Sequence, residues 1–381
     1  MNSKILRCAA LLSAGLFSLL RLSACDVQAS QCRARPRMEV AFVLDTTGSM
    51  GGMIAGAKQK IWAIANRLKS AQPTPEIRFG LVGYRDRGDE YVTRVFGLTP
   101  DLDEVYAHLF AFSAEGGGDE PESVNAALNR AVRDLQWSSD PQVLRVIFLV
   151  GDAPPHLDYQ DDVPFWETCR LANRKGILIN TLQCGRLNGT EAVWRQIARA
   201  TNGHYAGILQ DGGSVKIETP YDQEIIRLNV QLDSTIILFG SAEEQANAAA
   251  NKERLASMSS EAVADRSSFL GKAESGSVIT GRGDLLAEVI NGRQKIETVD
   301  VKQLDSKLQA MAAPERNELI GKKVAERKAL QAALAAVVAK RDAAVADQLK
   351  GMAGKDGVLE LNAYEALETQ AKAKGFDFKK P

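Results

Sequence analysis

Three segments of the sequence carry oxygen-bearing side chains in patterns suited to binding a hard cation. The first has Asp45, Thr47 and Ser49 at alternate positions, the second has Asp119 after three consecutive glycines, and the third has Asp152. A cation such as Mg²⁺ prefers near-octahedral oxygen ligands and usually keeps several of its water molecules. Thr47 and Ser49 can direct their hydroxyls to one ion, while Asp45 and Asp152 can orient its waters. The pattern therefore predicts a Mg²⁺ site, with Mn²⁺ or Ca²⁺ as alternatives.

The first segment also has a simpler explanation. Thr47 and Ser49 precede a predicted helix, and hydroxyl side chains often cap the free backbone amides at such a position. The first segment alone would favour capping. All three segments, however, are expected at the carboxyl edge of one parallel sheet, where ligands bind in open α/β folds, and this convergence favours a metal.

Alternating strands and helices over residues 38–212 predict the sheet that would position these segments. Residues 39–44 and 143–150 are short apolar runs, typical of strands buried on both faces. Residues 91–98 are predicted to form an antiparallel edge strand. Helical periodicity between the strands predicts an α/β class, with a Rossmann-like, doubly wound and mostly parallel sheet covered on both sides.

Residues 213–381 have a different composition, with few aromatic residues and many Ala, Glu, Lys and Arg. Their periodicity predicts helices at 221–232, 242–265 and 281–292, and one long helix at 314–350 that is interrupted on its apolar face by Arg341. We therefore expect a mainly helical C-terminal region. Isolated amphipathic helices are marginal in water, so these should dock on the α/β domain or pair with one another.

The three segments resemble the metal-ion-dependent adhesion site (MIDAS) of von Willebrand factor A (vWA) domains, whose signature is Asp-x-Ser-x-Ser. Asp45-x-Thr47-x-Ser49 is similar to that signature, Asp152 stands near the family's later aspartate, and Asp119 stands where the family usually has a threonine. The segments Asp-Thr-Thr-Gly-Ser-Met and Gly-Asp-Ala-Pro-Pro-His resemble those of exported bacterial vWA proteins. The resemblance covers roughly residues 38–210. It implies a vWA domain over 38–212 that binds a protein partner through its metal edge and is not an enzyme.

The aspartate in place of threonine changes this expectation. If Asp119 contacts the ion directly, the site has three carboxylates, holds metal more firmly and attracts an acidic partner less. Two other functions remain open. A metal-dependent hydrolase would need a nucleophile or base beside the ion. A scaffold with a purely structural metal would lose stability when the metal is removed.

Residues 1–25 are predicted to be an export signal. Lys4 and Arg7 precede an apolar run that is too short to span a bilayer, as in a signal peptide. Leu22 to Cys25 resembles a lipobox, which predicts lipidation of Cys25 and a membrane-anchored lipoprotein. A competing cleavage site before Ser30 would give a soluble periplasmic protein. Residues 26–37 would then be a linker.

The overall charge gives no sign of a nucleic-acid partner, and the identity of the protein partner that the resemblance implies stays unknown. The chain has 47 Lys and Arg residues against 48 Asp and Glu, which gives no general attraction to nucleic acid, or to a membrane beyond the lipid anchor.

Cys169 and Cys184 are both expected near the carboxyl edge of the sheet. An oxidising compartment would permit a disulfide between them, with two buried free thiols as the alternative.

Overall fold

The computed structural model describes residues 36–118, 120–209, 218–271, 278, 282–350 and 359–378, without the side chains at 59–60, 349–350 and 359–365. The predicted export signal, Cys25 and Asp119 lie outside the described residues.

The strands of the described residues form one large sheet and one small one. The strands are β1 (Arg37–Asp45), β2 (Ala71–Gln72), β3 (Glu76–Tyr84), β4 (Thr93–Thr99), β5 (Leu144–Gly151), β6 (Ile177–Cys184), β7 (Tyr205–Ile208) and β8 (Asp377–Phe378). The large sheet has the order β4-β3-β1-β5-β6-β7, and β2 pairs with β8. Only β4 runs antiparallel to its neighbour in the large sheet, which confirms the predicted antiparallel edge strand and mostly parallel topology.

Helices connect the strands and make up most of the C-terminal region. They are α1 (Gly51–Lys69), α2 (Leu102–Phe110), α3 (Val124–Asp134), α4 (Phe165–Arg174), α5 (Thr190–Ala200), α6 (Asp222–Asp233), α7 (Ala242–Ala256), α8 (Ser260–Gly271), α9 (Leu285–Ile290), α10 (Ser306–Gln309), α11 (Ala313–Lys350) and α12 (Leu359–Lys372). None of the described helices is both long enough and apolar enough to cross a bilayer.

Two apolar cores lie on opposite faces of the large sheet. One face is covered by α3, α4 and α5, which contribute Leu128, Phe165 and Trp194. The other face is covered by α1 and α2, together with side chains from α8 and α12. Each face of a parallel sheet must be covered, and here the C-terminal region supplies part of that cover. The predicted docking of the C-terminal helices on the α/β domain is thus seen in the structure.

Helix α3 begins at Val124, after the backbone amides of Glu122 and Ser123 have donated to the carbonyls of Pro154 and Arg85. Two local predictions need correction. The single helix predicted for 242–265 is two helices, α7 and α8. Arg341 does not break the apolar packing of α11, because its buried guanidinium is paired with Asp222 and Asp265.

Candidate functional site

The ends of β1, β3 and β5 place Asp45, Tyr84 and Asp152 at the same edge of the sheet. In the sheet register Asp45 lies opposite Tyr84 on β3, and Leu44 lies opposite Val150 on β5. Asp152 follows directly after β5. The predicted convergence of Asp45 and Asp152 at the carboxyl edge follows from this parallel pairing.

Asp45, Thr47 and Ser49 form a hydrogen-bonded group. The Asp45 Oδ1 atom accepts hydrogen bonds from the backbone amide of Thr47 at 2.9 Å and from its hydroxyl at 2.7 Å. The hydroxyls of Thr47 and Ser49 are 3.3 Å apart. The Thr47 hydroxyl makes no capping hydrogen bond to the helical turn that follows it, so capping does not explain the position of this hydroxyl. Asp45 and Thr47 are buried, whereas Ser49 is exposed and faces the solvent side of the site.

The glycine-rich loop lies directly on Thr47. The amide of Gly48 donates to the carbonyl of Gly116 at 3.1 Å. Gly117 has a positive φ of 74°, and a Cβ atom there would lie 2.9 Å from the Cβ of Thr47. Only glycine fits both the backbone conformation and this close approach. Asp119 follows in this loop but lies outside the described residues, so its predicted role as a ligand stays a prediction.

Glu122 is a site residue that the sequence analysis missed. Its side chain is only 4% exposed, and its Oε2 atom has no hydrogen-bond partner among the described residues. Burial, followed by the nearby charge of Asp45 and other carboxylates, raises its pKa to about 9. The backbone of Glu122 donates to the Pro154 carbonyl and accepts from the His156 amide. These bonds join the glycine-rich loop to the loop after β5 and turn Glu122 inward.

Three buried oxygen atoms at this edge of the sheet have no hydrogen-bond partner among the described residues. They are the Oδ2 atom of Asp45, the hydroxyl of Tyr84 and the Oε2 atom of Glu122. A Cβ atom at Gly151 would lie 3.1 Å from Asp45 Oδ2 and would overlap the Tyr84 hydroxyl, so two of these oxygens surround the same small space. Buried polar atoms nearly always have partners, because an unsatisfied one costs free energy. The residues present therefore fit a cation with its bound waters.

The electrostatics of this pocket also suit a cation. Burial is the main cause that raises the pKa of Asp45 to about 7, against the opposing hydrogen bonds from Thr47, and the charge of Asp152 raises it further. Burial and the charge of Asp45 also raise the pKa of the Tyr84 phenol. No group of three or more His, Cys, Asp or Glu side chains within the described residues is arranged to hold a metal by itself. A metal bound here would need the hydroxyls of Thr47 and Ser49 as further ligands.

A fourth loop, residues 85–89, supports the other three. Arg85 is 2% exposed, and its guanidinium donates to the Thr46 carbonyl at 3.2 Å and to the Ser113 carbonyl at 2.9 Å. The Asp89 carboxylate accepts a hydrogen bond from the backbone amide of Gly117 at 3.0 Å. The alternation of Arg and Asp in residues 85–89 was the available signal, but the bonded carbonyls are distant in sequence. This loop holds the first segment and the glycine-rich loop in register.

His156 packs in the loop after β5. It is 5% exposed, its Nδ1 atom is 2.8 Å from Asp158 Oδ1, and its ring stacks on Tyr159 at 4.0 Å. Asp86 receives hydrogen bonds from Ser123 and Tyr159. These contacts brace the loop that carries Asp152.

The structure contradicts the predicted disulfide between Cys169 and Cys184. Cys169 and Cys184 are both free and buried. Cys169 belongs to the core on one face of the sheet, and Cys184 belongs to the core on the opposite face. The sheet itself separates the two sulfur atoms, so they cannot approach to bonding distance.

Comparison with known proteins agrees with this geometry. The family model for a von Willebrand factor A domain matches residues 39–219. The human von Willebrand factor A domain-containing protein 7 is 35% identical over 151 residues, which are 39% of this chain and 15% of that protein. The alpha-protein kinase vwkA of Dictyostelium discoideum is 28% identical over 139 residues, or 36% of this chain and 21% of the kinase. The chain thus matches only a small part of the length of these relatives.

Among solved structures, the mussel byssus proximal thread matrix protein 1 with a zinc-occupied MIDAS motif overlaps 45% of this chain and 42% of its own. Its sequence identity is 16% and its TM-score 0.36, which is too low to carry an argument about this site. The conclusion rests on the family match and on the order of the strands. Residues 39–219 of this chain belong to the von Willebrand factor A domain family.

Proposed function

We propose that this vWA domain binds a divalent cation, preferentially Mg²⁺, and uses the loaded site to bind a protein. The hydroxyls of Thr47 and Ser49 would be direct ligands, and Asp45 and Asp152 would hold its waters. The observation that carries this proposal is the pair of buried, unpartnered oxygens of Asp45 and Tyr84 around Gly151, together with the buried Oε2 atom of Glu122, which also lacks a partner among the described residues. A bound cation and its waters would give these buried oxygens the partners that they otherwise lack.

Glu122 is proposed as the third carboxylate of the site. Asp119, outside the described residues, remains a second candidate for that role. With Asp45, Asp152 and Glu122 ionised, the carboxylates outnumber the charge of one divalent cation. The metal would then be bound firmly, and the excess negative charge would disfavour a further carboxylate as a ligand. A partner would therefore offer a neutral oxygen on the side where Ser49 is exposed.

Titration calorimetry with Mg²⁺, Mn²⁺ and Ca²⁺ tests the proposal. We expect Asp45→Ala to weaken binding by at least about tenfold, since a tenfold change corresponds to about 1.4 kcal/mol. Glu122→Gln should weaken it as well, and Glu167→Gln, an exposed carboxylate on α4, is the matched control. Equal affinity in the wild type and Asp45→Ala would refute the site. A wild type that binds none of the three ions would refute the metal-dependent function.

We further propose that the protein is a binding module and not an enzyme. A purely structural metal would give a different result from this proposal. In that case chelation would lower the unfolding temperature but leave the binding of a purified partner unchanged once the protein remains folded. Under our proposal chelation abolishes partner binding at temperatures where the fold persists.

Export is also proposed, on the basis of the basic start and apolar run in residues 1–25. Mass spectrometry of the mature protein decides between the two processing sites. An acylated Cys25 at the N-terminus supports a lipoprotein, whereas a free Ser30 supports a soluble exported protein. An N-terminus at Met1 would contradict export.

A further inference from the structure

A groove of about 780 Å³ lies beside the metal-site loops, between α5 and the edge strand β7. Gln183, at the end of β6, and Tyr205 form its inner side, and Arg186 and Arg195 border it. The Thr190 hydroxyl at the start of α5 donates to the Asp152 carbonyl at 3.0 Å, and the Trp194 indole donates to the Ala153 carbonyl at 3.3 Å. The groove therefore shares the carboxyl edge of the sheet with the metal-site loops but is built from other residues.

One hydrogen-bond donor of the groove, the side-chain amide of Gln183, has no acceptor among the described residues. Gln183 is 2% exposed, and its Oε1 atom accepts from the Tyr205 hydroxyl at 2.9 Å. Its amide nitrogen donates no hydrogen bond to any described residue, although the side chain lines the groove. The amide nitrogen can therefore donate to a ligand or to water in the groove.

The groove carries positive charge from its arginines, whereas the proposed metal site beside it carries the negative charge of its carboxylates. Arg186 is exposed and forms no salt bridge with the described residues. Arg195 is paired with Glu191 and lies over the Tyr205 ring at 4.0 Å, which fixes its position. Helix α5 begins at this groove without a side-chain cap, so its first amides are available to an acceptor. An anionic group at this edge would be repelled by the carboxylates of the metal site and attracted here.

We propose that this groove binds a carboxylate-bearing, extended segment of a partner protein. The carboxylate accepts from the Arg186 guanidinium and the Gln183 amide. The groove is much larger than a small inorganic anion, and it includes Leu209, which is 59% exposed, so it can also receive an apolar side chain of the segment. The inference goes beyond the proposed metal-dependent function, because none of these groups is a proposed metal ligand.

The test uses the full chain in buffer with EDTA, so that metal binding plays no part. The probe is a short blocked peptide of alternating Val and Glu, compared with the same peptide carrying Gln in place of Glu. We expect the Glu peptide to bind at least about tenfold more tightly, because hydrogen bonds to charged groups contribute about 1.5–3 kcal/mol. NMR spectra should show shifts of the Gln183 side-chain amide.

Two variants locate the binding. Arg186→Glu should weaken binding of the Glu peptide by at least about tenfold. Arg170→Glu should leave it unchanged, since Arg170 is an exposed arginine on α4 that lies outside the groove. Gln183→Leu should weaken binding severalfold while a melting curve shows the fold intact. Equal affinity for the two peptides, or equal effects of Arg186→Glu and Arg170→Glu, would overturn the proposal. Displacement of the peptide by low concentrations of inorganic phosphate would show a small-anion site instead and would also overturn it.

Discussion

At the scale of single residues, the proposed metal pocket depends on a missing side chain as well as on its ligands. Gly151 ends β5, and a Cβ atom there would lie 3.1 Å from Asp45 Oδ2 and would overlap the Tyr84 hydroxyl. Such an atom would take up space that the proposed cation and its waters need. Gly151 is therefore as necessary to the proposed site as the carboxylates.

The first prediction concerns Gly151→Ala. We expect it to lower Mg²⁺ affinity by at least about tenfold and to destabilise the fold by about 1–3 kcal/mol, as is usual for overpacking. Gly97→Ala on β4 is the control, since a Cβ atom there meets nothing within 4 Å. Adding Tyr84→Phe removes the hydroxyl that the new methyl overlaps, so stability should recover in the double variant. Calorimetry and urea unfolding measure the two effects, and unchanged affinity in Gly151→Ala would contradict the pocket.

The second prediction concerns the two buried thiols. Burial raises the pKa of Cys169 to about 12 and that of Cys184 well above its usual value. At pH 8 only roughly one Cys169 in ten thousand is then a thiolate, and the thiolate is the reactive form. We expect iodoacetamide to leave both residues unmodified in the native protein and to alkylate both in urea without reductant. Alkylation in urea only after reduction would show a disulfide.

At the scale of elements, buried ion pairs connect the C-terminal helices to the rest of the chain. Arg266 on α8 donates two hydrogen bonds to Asp103 on α2, at 2.8 and 2.6 Å, and a third to the Val278 carbonyl. Arg341 plays a similar part between α11, α6 and α8. A buried pair fixes how two helices meet, because a mismatched arrangement would leave a charge without a partner.

The third prediction separates breaking such a pair from replacing it. Asp103→Ala should destabilise the protein by about 3–5 kcal/mol, because the guanidinium of Arg266 stays buried without its partner. The double variant Asp103→Leu/Arg266→Met should recover most of that loss, since an apolar pair needs no compensation. Glu224→Ala, which breaks an exposed pair with Arg227 on α6, serves as the control and should have little measurable effect. Urea unfolding distinguishes these outcomes, and equal losses in Asp103→Ala and Glu224→Ala would contradict the argument.

At the scale of the whole molecule, the vWA domain depends on the end of the chain for part of its core. Leu367 and Ala371 on α12 and Phe376 and Phe378 beyond it belong to the same apolar core as α1. Gln370 and Asn180 on β6 exchange hydrogen bonds at 3.0 and 2.7 Å, and β8 pairs with β2. Folding of residues 36–209 and of the C-terminal region should therefore be coupled.

The fourth prediction tests this coupling with Leu367→Ala. The side chain is fully buried, so we expect a loss of about 2–5 kcal/mol. Val230→Ala on α6, where the side chain is 64% exposed, is the control. Unfolding should remain one transition, with the fluorescence of Trp62 on α1 and the helical circular dichroism changing together. Two separated transitions, with only the second sensitive to Leu367→Ala, would show that the C-terminal region folds independently.

The sequence by itself determined the features that depend on short segments. The strand ending at Asp45 and the alternate positions of Thr47 and Ser49 are local, so composition and spacing were enough to predict a metal site and a parallel sheet. The mostly parallel topology agrees with the alternation of strands and helices, since parallel neighbours need a crossover connection, which is usually a helix. The helical nature of the C-terminal region followed from periodicity in the same way.

The tertiary structure alone decided which side chains meet across distant segments. Asp119, Glu120 and Glu122 are close in sequence, and only the backbone bonds of Glu122 to Pro154 and His156 turn that carboxylate inward. Arg85 could not be recognised as a support, because the carbonyls it binds belong to two other loops. Cys169 and Cys184 lie at the same edge but on opposite faces, since side chains alternate along β6 and the face that α4 covers is set by packing. Local pattern specifies each element, whereas contacts between elements depend on the three-dimensional arrangement that buries them.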